Sequence, residues 1–336
     1  MTTDAELQAA PRPATAPPPS WRVLLAVSVT VVAWASAFVV IRWVGHDYAP
    51  GSLALGRLVV GSIALSAMMI GRQLVRMTPR EWGLVAVTGV AWFAIYSIAL
   101  NAGERLVDAG TASMLIQLAP IIIGLLAGIV LREGFPRQLV IGGLIAFAGT
   151  VLIGISTSTG QADLVGVLLV LVSASTYSIA MIAQKSALRR LPSLQVTWLG
   201  CVIGTVASLP FAGGLIRDVA SAPLVPTLGV VYLGLVPTAL AFSTWAYALS
   251  KTTAGRLGVT TYAVPPITIA LSWAFLGEVP TVLAVIGGLI SLVGVAIARR
   301  SVRSGGRPPE PPAAAPTPGG LLQEKRRFSR SAPPPG

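Results

Sequence analysis

Arg57 is the only formal charge that falls clearly inside an apolar segment of this 336-residue chain. A guanidinium at that depth is costly, and an ionisable residue inside an apolar span is by default a functional hypothesis. Arg57 lies near one end of its segment, so three readings stay open. It snorkels to the surface, it pairs with Asp47 or Asp163, or it binds a carboxylate on a small solute. Gln117 and Tyr262 are further polar side chains at similar depth, and each needs a hydrogen-bond partner from a neighbouring helix or a polar cavity. Trp34, Tyr96, Tyr177 and Trp245 sit deep in apolar segments. Flat rings there line a pocket or simply pack, whereas Trp21, Trp43 and Trp82 suit anchoring at an interface. Asn101, Ser36 and Thr238 are weaker polar candidates.

Much chemistry is absent from the sequence. One cysteine (Cys201) and one histidine (His46) make no metal-ligand cluster. No glycine-rich phosphate loop ending in Lys-Ser/Thr occurs, so no ATP motor is encoded. No mid-span His, Asp or Glu stands ready to activate a nucleophile, which argues against an enzyme. No cofactor is called for. The missing mid-span carboxylates also give no support to a proton relay.

The elements that carry these residues follow from composition. Hydrophobic residues make up 54% of the chain and charged ones 11%, and the mean hydropathy is +0.77. Soluble chains carry about 25% charged residues, so this is the composition of an all-α integral membrane protein. Ten apolar spans are expected, at roughly 22–41, 53–70, 82–100, 110–131, 138–155, 164–187, 194–213, 227–249, 255–276 and 281–298. Residues 1–20 and 300–336 are rich in Pro and Ala and read as disordered tails. The net charge of +12 lies in loops and tails. It fits topology and anionic lipid headgroups better than nucleic acid.

Residues 104–154 recur at 249–299 without a gap when shifted by 145. The shift places Ala109 on Ala254, Gly110 on Gly255, Pro120 on Pro265, Glu133 on Glu278, and Gly142-Gly143 on Gly287-Gly288. This is an internal repeat, dividing the chain into halves at 21–156 and 163–299, five spans each. An odd number of spans inverts the second copy. Loop charge agrees: with a cytoplasmic N-terminus, 20 Lys and Arg lie inside and 3 outside, which puts both termini in the cytoplasm. Inverted repeats around a central cavity are common in secondary transporters. Gln117 and Tyr262 occupy equivalent positions three residues before the aligned prolines, so both would approach a pseudo-two-fold axis. Pro120, Pro265 and the adjoining Pro266 read as mid-helix kinks or hinges. Glu133 and Glu278 fall at helix C-termini, where a carboxylate opposes the dipole and needs an Arg or a helix N-terminus. They read as loop staples or gates. The paired glycines and Gly124-x-x-x-Gly128 permit close helix approach, within the chain or between copies.

These features together resemble the drug/metabolite transporter superfamily, in particular proteins with two EamA-type domains. The resemblance rests on Trp34-Ala-Ser-Ala-Phe38 followed by Arg42, on Arg57, on the Ala-Gly, Pro and Glu ladder in both copies, and on the Gly pairs. The first copy departs from the family's usual Gly-Glu with Arg132-Glu133, and the second keeps Gly277-Glu278. The resemblance implies a multi-pass plasma-membrane transporter, most simply an exporter of small metabolites, amino-acid-like solutes or drugs, as monomer or dimer. A lipid-linked sugar flippase of the same fold and, in a different class, a membrane-embedded lipid-modifying enzyme are the alternatives.

Overall fold

The computed structural model describes residues 21–119, 121–123, 126, 141–142, 144–145, 147–149, 152, 161–251, 257, 260–278 and 280–304. Pro120, Glu133, Gly124, Gly128 and the side chain of Tyr262 lie outside what it describes.

Helix α1 (Trp21–Val44) is 24 residues long, about 36 Å at ~1.5 Å per residue, enough to cross a bilayer. α2 (Pro50–Met69) opens on a proline at its first turn, where the missing amide is no loss. α3 (Pro79–Gly103) starts at a capping box in which Thr78 and Glu81 satisfy each other's backbone amides. Arg190, from the turn after α5 (Gln161–Ala187), donates to the same Glu81 carboxylate and to the Arg76 carbonyl at 2.7 Å. That contact ties the start of α3 to the end of α5.

α4 (Ala109–Ile116) follows an Asp108 cap, which accepts from the Thr111 amide at 2.8 Å. Among the described residues the further helices are α6 (Ser193–Ala207), α7 (Ala212–Ser221), α8 (Leu224–Lys251), α9 (Val264–Leu276) and α10 (Val282–Ser304). α10 continues to Ser304, into the basic stretch that reads as tail in the sequence. Among the described residues, five helices are long and apolar enough to cross a membrane, or six if α6 and α7 form one bent span.

Two expectations need correction. The span at 194–213 is not one straight helix: it bends by 50° between α6 and α7. Pro210 has no amide to continue the ladder, and a short 3-10 turn at Leu209–Phe211 takes its place. α7 buries none of its residues fully. Its Asp218 accepts the Ala49 amide at 2.9 Å, just ahead of α2. Nor does Pro265 sit mid-helix. α9 begins at Val264, so Pro265 and Pro266 fall in its first turn behind a 3-10 turn at Thr261–Ala263. Two adjacent residues without amides fit a helix start, not a helix middle.

The packing is reciprocal between the halves. α1 packs on α8 and α9, while α5 packs on α3 and α4; α2 and α6 pack on each other. α2 also meets a π-helical stretch of α8 at Gly234–Leu240, and α6 meets one of α3 at Gly89–Tyr96. The 145-residue shift superposes Gly89 on Gly234, so the π stretches occupy equivalent places. In α8 the cause is visible. Pro237 cannot donate to the Leu233 carbonyl, and the Thr238 hydroxyl donates to it instead at 2.8 Å. Such stretches often mark functional sites.

Both glycines sit at close backbone approaches. A Cβ on Gly234 would lie 2.5 Å from Val60 Cβ and 2.8 Å from the Arg57 carbonyl oxygen. Gly234→Ala therefore forces α8 off α2 and costs about 1–3 kcal/mol. Gly213, with open space around it, tolerates Ala within about 0.5 kcal/mol. Thermal unfolding of the two variants in detergent checks the contrast.

Candidate functional site

Helices from both halves enclose one cavity. The space that the centre of a water molecule can reach there is about 50 Å³, within about 650 Å³ of non-protein space that includes the mouth. By the measure of ~10–15 Å³ per water, this is room for about four waters, the scale of a compact solute.

One wall is aromatic. Trp34 from α1 meets Trp92 from the π stretch of α3 (ring centroids 6.2 Å apart) and Phe242 from α8 (5.6 Å). Trp92 in turn meets Tyr177 of α5 at 4.8 Å, and Tyr96 lies one turn further along α3. Offset and edge-on ring pairs at these separations hold one another in place.

The polar lining residues are Arg57, Ser113, Gln117 and Thr261. Arg57 is 4% exposed, so it does not snorkel. Its Nε donates to Thr238 Oγ1 at 3.2 Å, and that hydroxyl has given its own proton to Leu233. The π stretch thus aims the guanidinium. Nη1 is buried without a hydrogen-bond partner, and no ion pair to Arg57 exists among the described residues. Asp47 does not pair with it, and the Asp163 side chain lies outside the described set. A guanidinium that lines a cavity and keeps an N–H without a partner is suited to a carboxylate.

Gln117 both lines the cavity and bonds across the halves. Its Nε2 donates to the Thr261 carbonyl at 2.6 Å, and Thr261 Oγ1 reaches Gln117 Oε1 at 3.3 Å. The reason lies four residues on: Pro265 has no amide for the Thr261 carbonyl, so an N–H from elsewhere is welcome. Gln117 itself ends α4, and its repeat equivalent, position 262, lies in the 3-10 turn ahead of α9. Gln117→Leu removes this bond and lowers stability by about 1 kcal/mol. Gln117→Glu lowers it further, since a carboxylate has no N–H to offer a carbonyl. Melting temperatures of the two variants test this order.

The sequence candidates separate as follows. Trp34, Arg57, Tyr96, Gln117 and Tyr177 all line the cavity. Trp245 does not: it is 1% exposed and stands behind Trp34, ring centroids 4.9 Å apart. Glu278 finds the Arg it needs, since Arg42 Nε donates to its Oε1 at 2.8 Å. Trp92, Phe242, Ser113 and Thr261 escaped the sequence reading. The aligned Gly89 and Gly234 were the available signal, since Trp92 lies within one π stretch and Phe242 follows the other.

Glu104 is the other omission. It falls between the predicted spans 82–100 and 110–131, yet it is 0% exposed, and both carboxylate oxygens lack a hydrogen-bond partner. Arg42 Nη1 donates to its backbone carbonyl at 2.6 Å. This carboxylate lies just past the end of α3, outside the spans themselves.

The chain matches the profile of the EamA-like transporter family twice, at residues 21–155 and 164–300. The chain belongs to the EamA-like transporter family. This EamA-family protein is 35% identical over 280 residues to a probable terminal-alkyne amino-acid exporter of Streptantibioticus cattleyicolor, covering 83% of this chain and 94% of that one. It is 32% identical over 277 residues to the uncharacterized transporter YdfC of Bacillus subtilis strain 168, covering 82% and 90%. A solved crystal structure, 20% identical, shares the fold with a TM-score of 0.58 over 84% of this chain and 98% of that one. With its apolar helices, this EamA-family protein is a multi-pass membrane protein.

Proposed function

We propose that this protein is a secondary transporter, in the export direction, of a compact amino-acid-like solute, whose carboxylate is held by Arg57 and whose apolar part lies against Trp34, Trp92 and Phe242. The observation that carries this reading is the buried, unpartnered Nη1 of Arg57 at the wall of the aromatic cavity. The size of the cavity disfavours a lipid-linked sugar. The similarity to the Streptantibioticus relative, a probable terminal-alkyne amino-acid exporter, supports the solute class.

Alternating access in this reading comes from ten helices in two inverted repeats, 21–156 and 163–299, with both termini in the cytoplasm and the protein in the plasma membrane. The reciprocal packing of α1 and α5, the paired π stretches and the loop charges support that arrangement. Solute would enter from the cytoplasm and leave when the halves rock.

Ligand-induced thermal stabilisation tests the solute class. A ligand that binds only the folded form raises stability by RT ln(1 + [L]/Kd). Small apolar amino acids are expected to raise the melting temperature, and the matching amines without a carboxylate to leave it unchanged. Equal shifts from both, or from neither, would contradict the assignment.

A further inference from the structure

The end of the molecule where α1, α3 and α9 finish carries a charge cluster that solute binding does not use. Arg42 closes it: its Nε holds Glu278, just past α9, and its Nη1 holds the Glu104 carbonyl, just past α3. Ser272 Oγ steadies the other Glu278 oxygen at 3.3 Å. The Arg42–Glu278 pair is partly exposed, with side-chain exposures of 23% and 25%. Glu104, beneath it, is wholly buried with both oxygens unpartnered.

A carboxylate in that position is out of water with no hydrogen-bond donor, a state that favours the neutral acid. Burial holds the Glu104 carboxyl well above the usual carboxylate range. Arg42 and Arg57 pull it down, while Glu278 and Asp108 push it up. Tyr96, on α3, is the remaining titratable group that feels Glu104. Asp108 is spent on the α4 cap, accepting from both the amide and hydroxyl of Thr111. Glu104 and the two arginines remain to rearrange.

We propose that Glu104 is a proton-binding site whose occupancy sets the Arg42–Glu278 latch. With the proton on, Glu104 is neutral and Arg42 is left to Glu278, the arrangement seen here. With the proton released to water, a bare carboxylate lies beside an arginine already bonded to its own backbone. The guanidinium turns from Glu278 to Glu104, and the end of α9 is let go. No other bond forms or breaks. The outer end is therefore latched at low pH and released as pH rises through the Glu104 transition. The consequence for transport, that the coupling ion is a proton, rests on the transporter reading; the latch itself does not.

The test uses the full chain in lipid nanodiscs without any solute. Spin labels go on His46→Cys, beyond α1, and Val282→Cys, at the start of α10, both exposed. Cys201→Ala removes the buried native thiol. Labelling position 46 also removes the only histidine, so no imidazole can supply a transition near neutrality. The expected result is a short distance at about pH 5 and a longer population exceeding about half by about pH 9, a window set above the ordinary carboxylate value of ~4.3. Glu104→Gln stays short at both, and Glu278→Gln stays long at both. Should Glu104→Gln fail to fold, Glu104→Asp keeps the acid on a shorter arm and moves the midpoint. A parent distance that ignores pH, a Glu104→Gln variant that titrates like the parent, or an unmoved midpoint in Glu104→Asp would overturn the proposal. Since no solute is present, a protein that transports nothing can still pass, and a working transporter can fail.

Discussion

Replacing Arg57 by Gln is expected to weaken binding of a carboxylate-bearing solute by roughly 10- to 100-fold. A hydrogen bond to a charged group is worth about 1.5–3 kcal/mol, and each ~1.4 kcal/mol is tenfold in affinity. Arg57→Lys should fall between the two. It keeps the charge but offers a compact, hydrated ammonium in place of a planar fork, and it loses the Nε contact to Thr238. The fold should survive both changes, because the Thr238 hydroxyl still donates to the Leu233 carbonyl and the π stretch does not need the guanidinium. Equilibrium binding of a labelled small amino acid to purified protein gives the affinities, and circular dichroism checks helix content. Unchanged affinity in Arg57→Gln would remove Arg57 from the site.

The second large effect falls on stability. Trp245 is among the largest fully buried side chains, packed between α8 and the back of Trp34. Trp245→Ala is expected to cost about 3–5 kcal/mol and to leave the Trp34 ring without its backing. Trp34→Ala should cost less, since Trp34 is only half-buried and faces the cavity, but it should weaken solute binding more at equal stability. Trp245→Phe refills part of the space, and its indole N–H is no loss because that group has no partner. Melting temperature and solute affinity measured on the same samples separate a wall residue from one that supports the wall. If Trp245→Ala melted like the parent, the packing described around Trp34 would be wrong.

The apolar helical character and the twofold EamA match were legible because hydropathy and a gap-free 145-residue shift are properties of the chain alone. Arg57 was legible because a lone charge in an apolar run stands out. Its surroundings were not: the free Nη1 depends on how a π stretch of α8 turns Thr238 toward α2, which no pattern within α2 contains. Pro265 misled in depth. A proline inside a long apolar run looks like a mid-helix kink, and only the 3-10 turn at Thr261–Ala263 shows that a helix starts there. Glu104 misled for the same reason in reverse. Beside Arg105 and Asp108 it reads as a solvated loop, yet helix packing at the end of α3 buries it. Trp245 looked like a binding residue because depth and aromaticity do not say which face of a helix a ring is on.

The central question is whether the cavity carries an amino-acid-like solute from one side to the other. Counterflow in proteoliposomes decides it: vesicles are loaded with an unlabelled small apolar amino acid, and the labelled form is added outside. The expected result is transient accumulation of label by the wild-type protein, its loss in Arg57→Gln, and no accumulation of the matching amine without a carboxylate. Accumulation that is absent from the wild type with every small amino acid tried, or equal in Arg57→Gln, would contradict it.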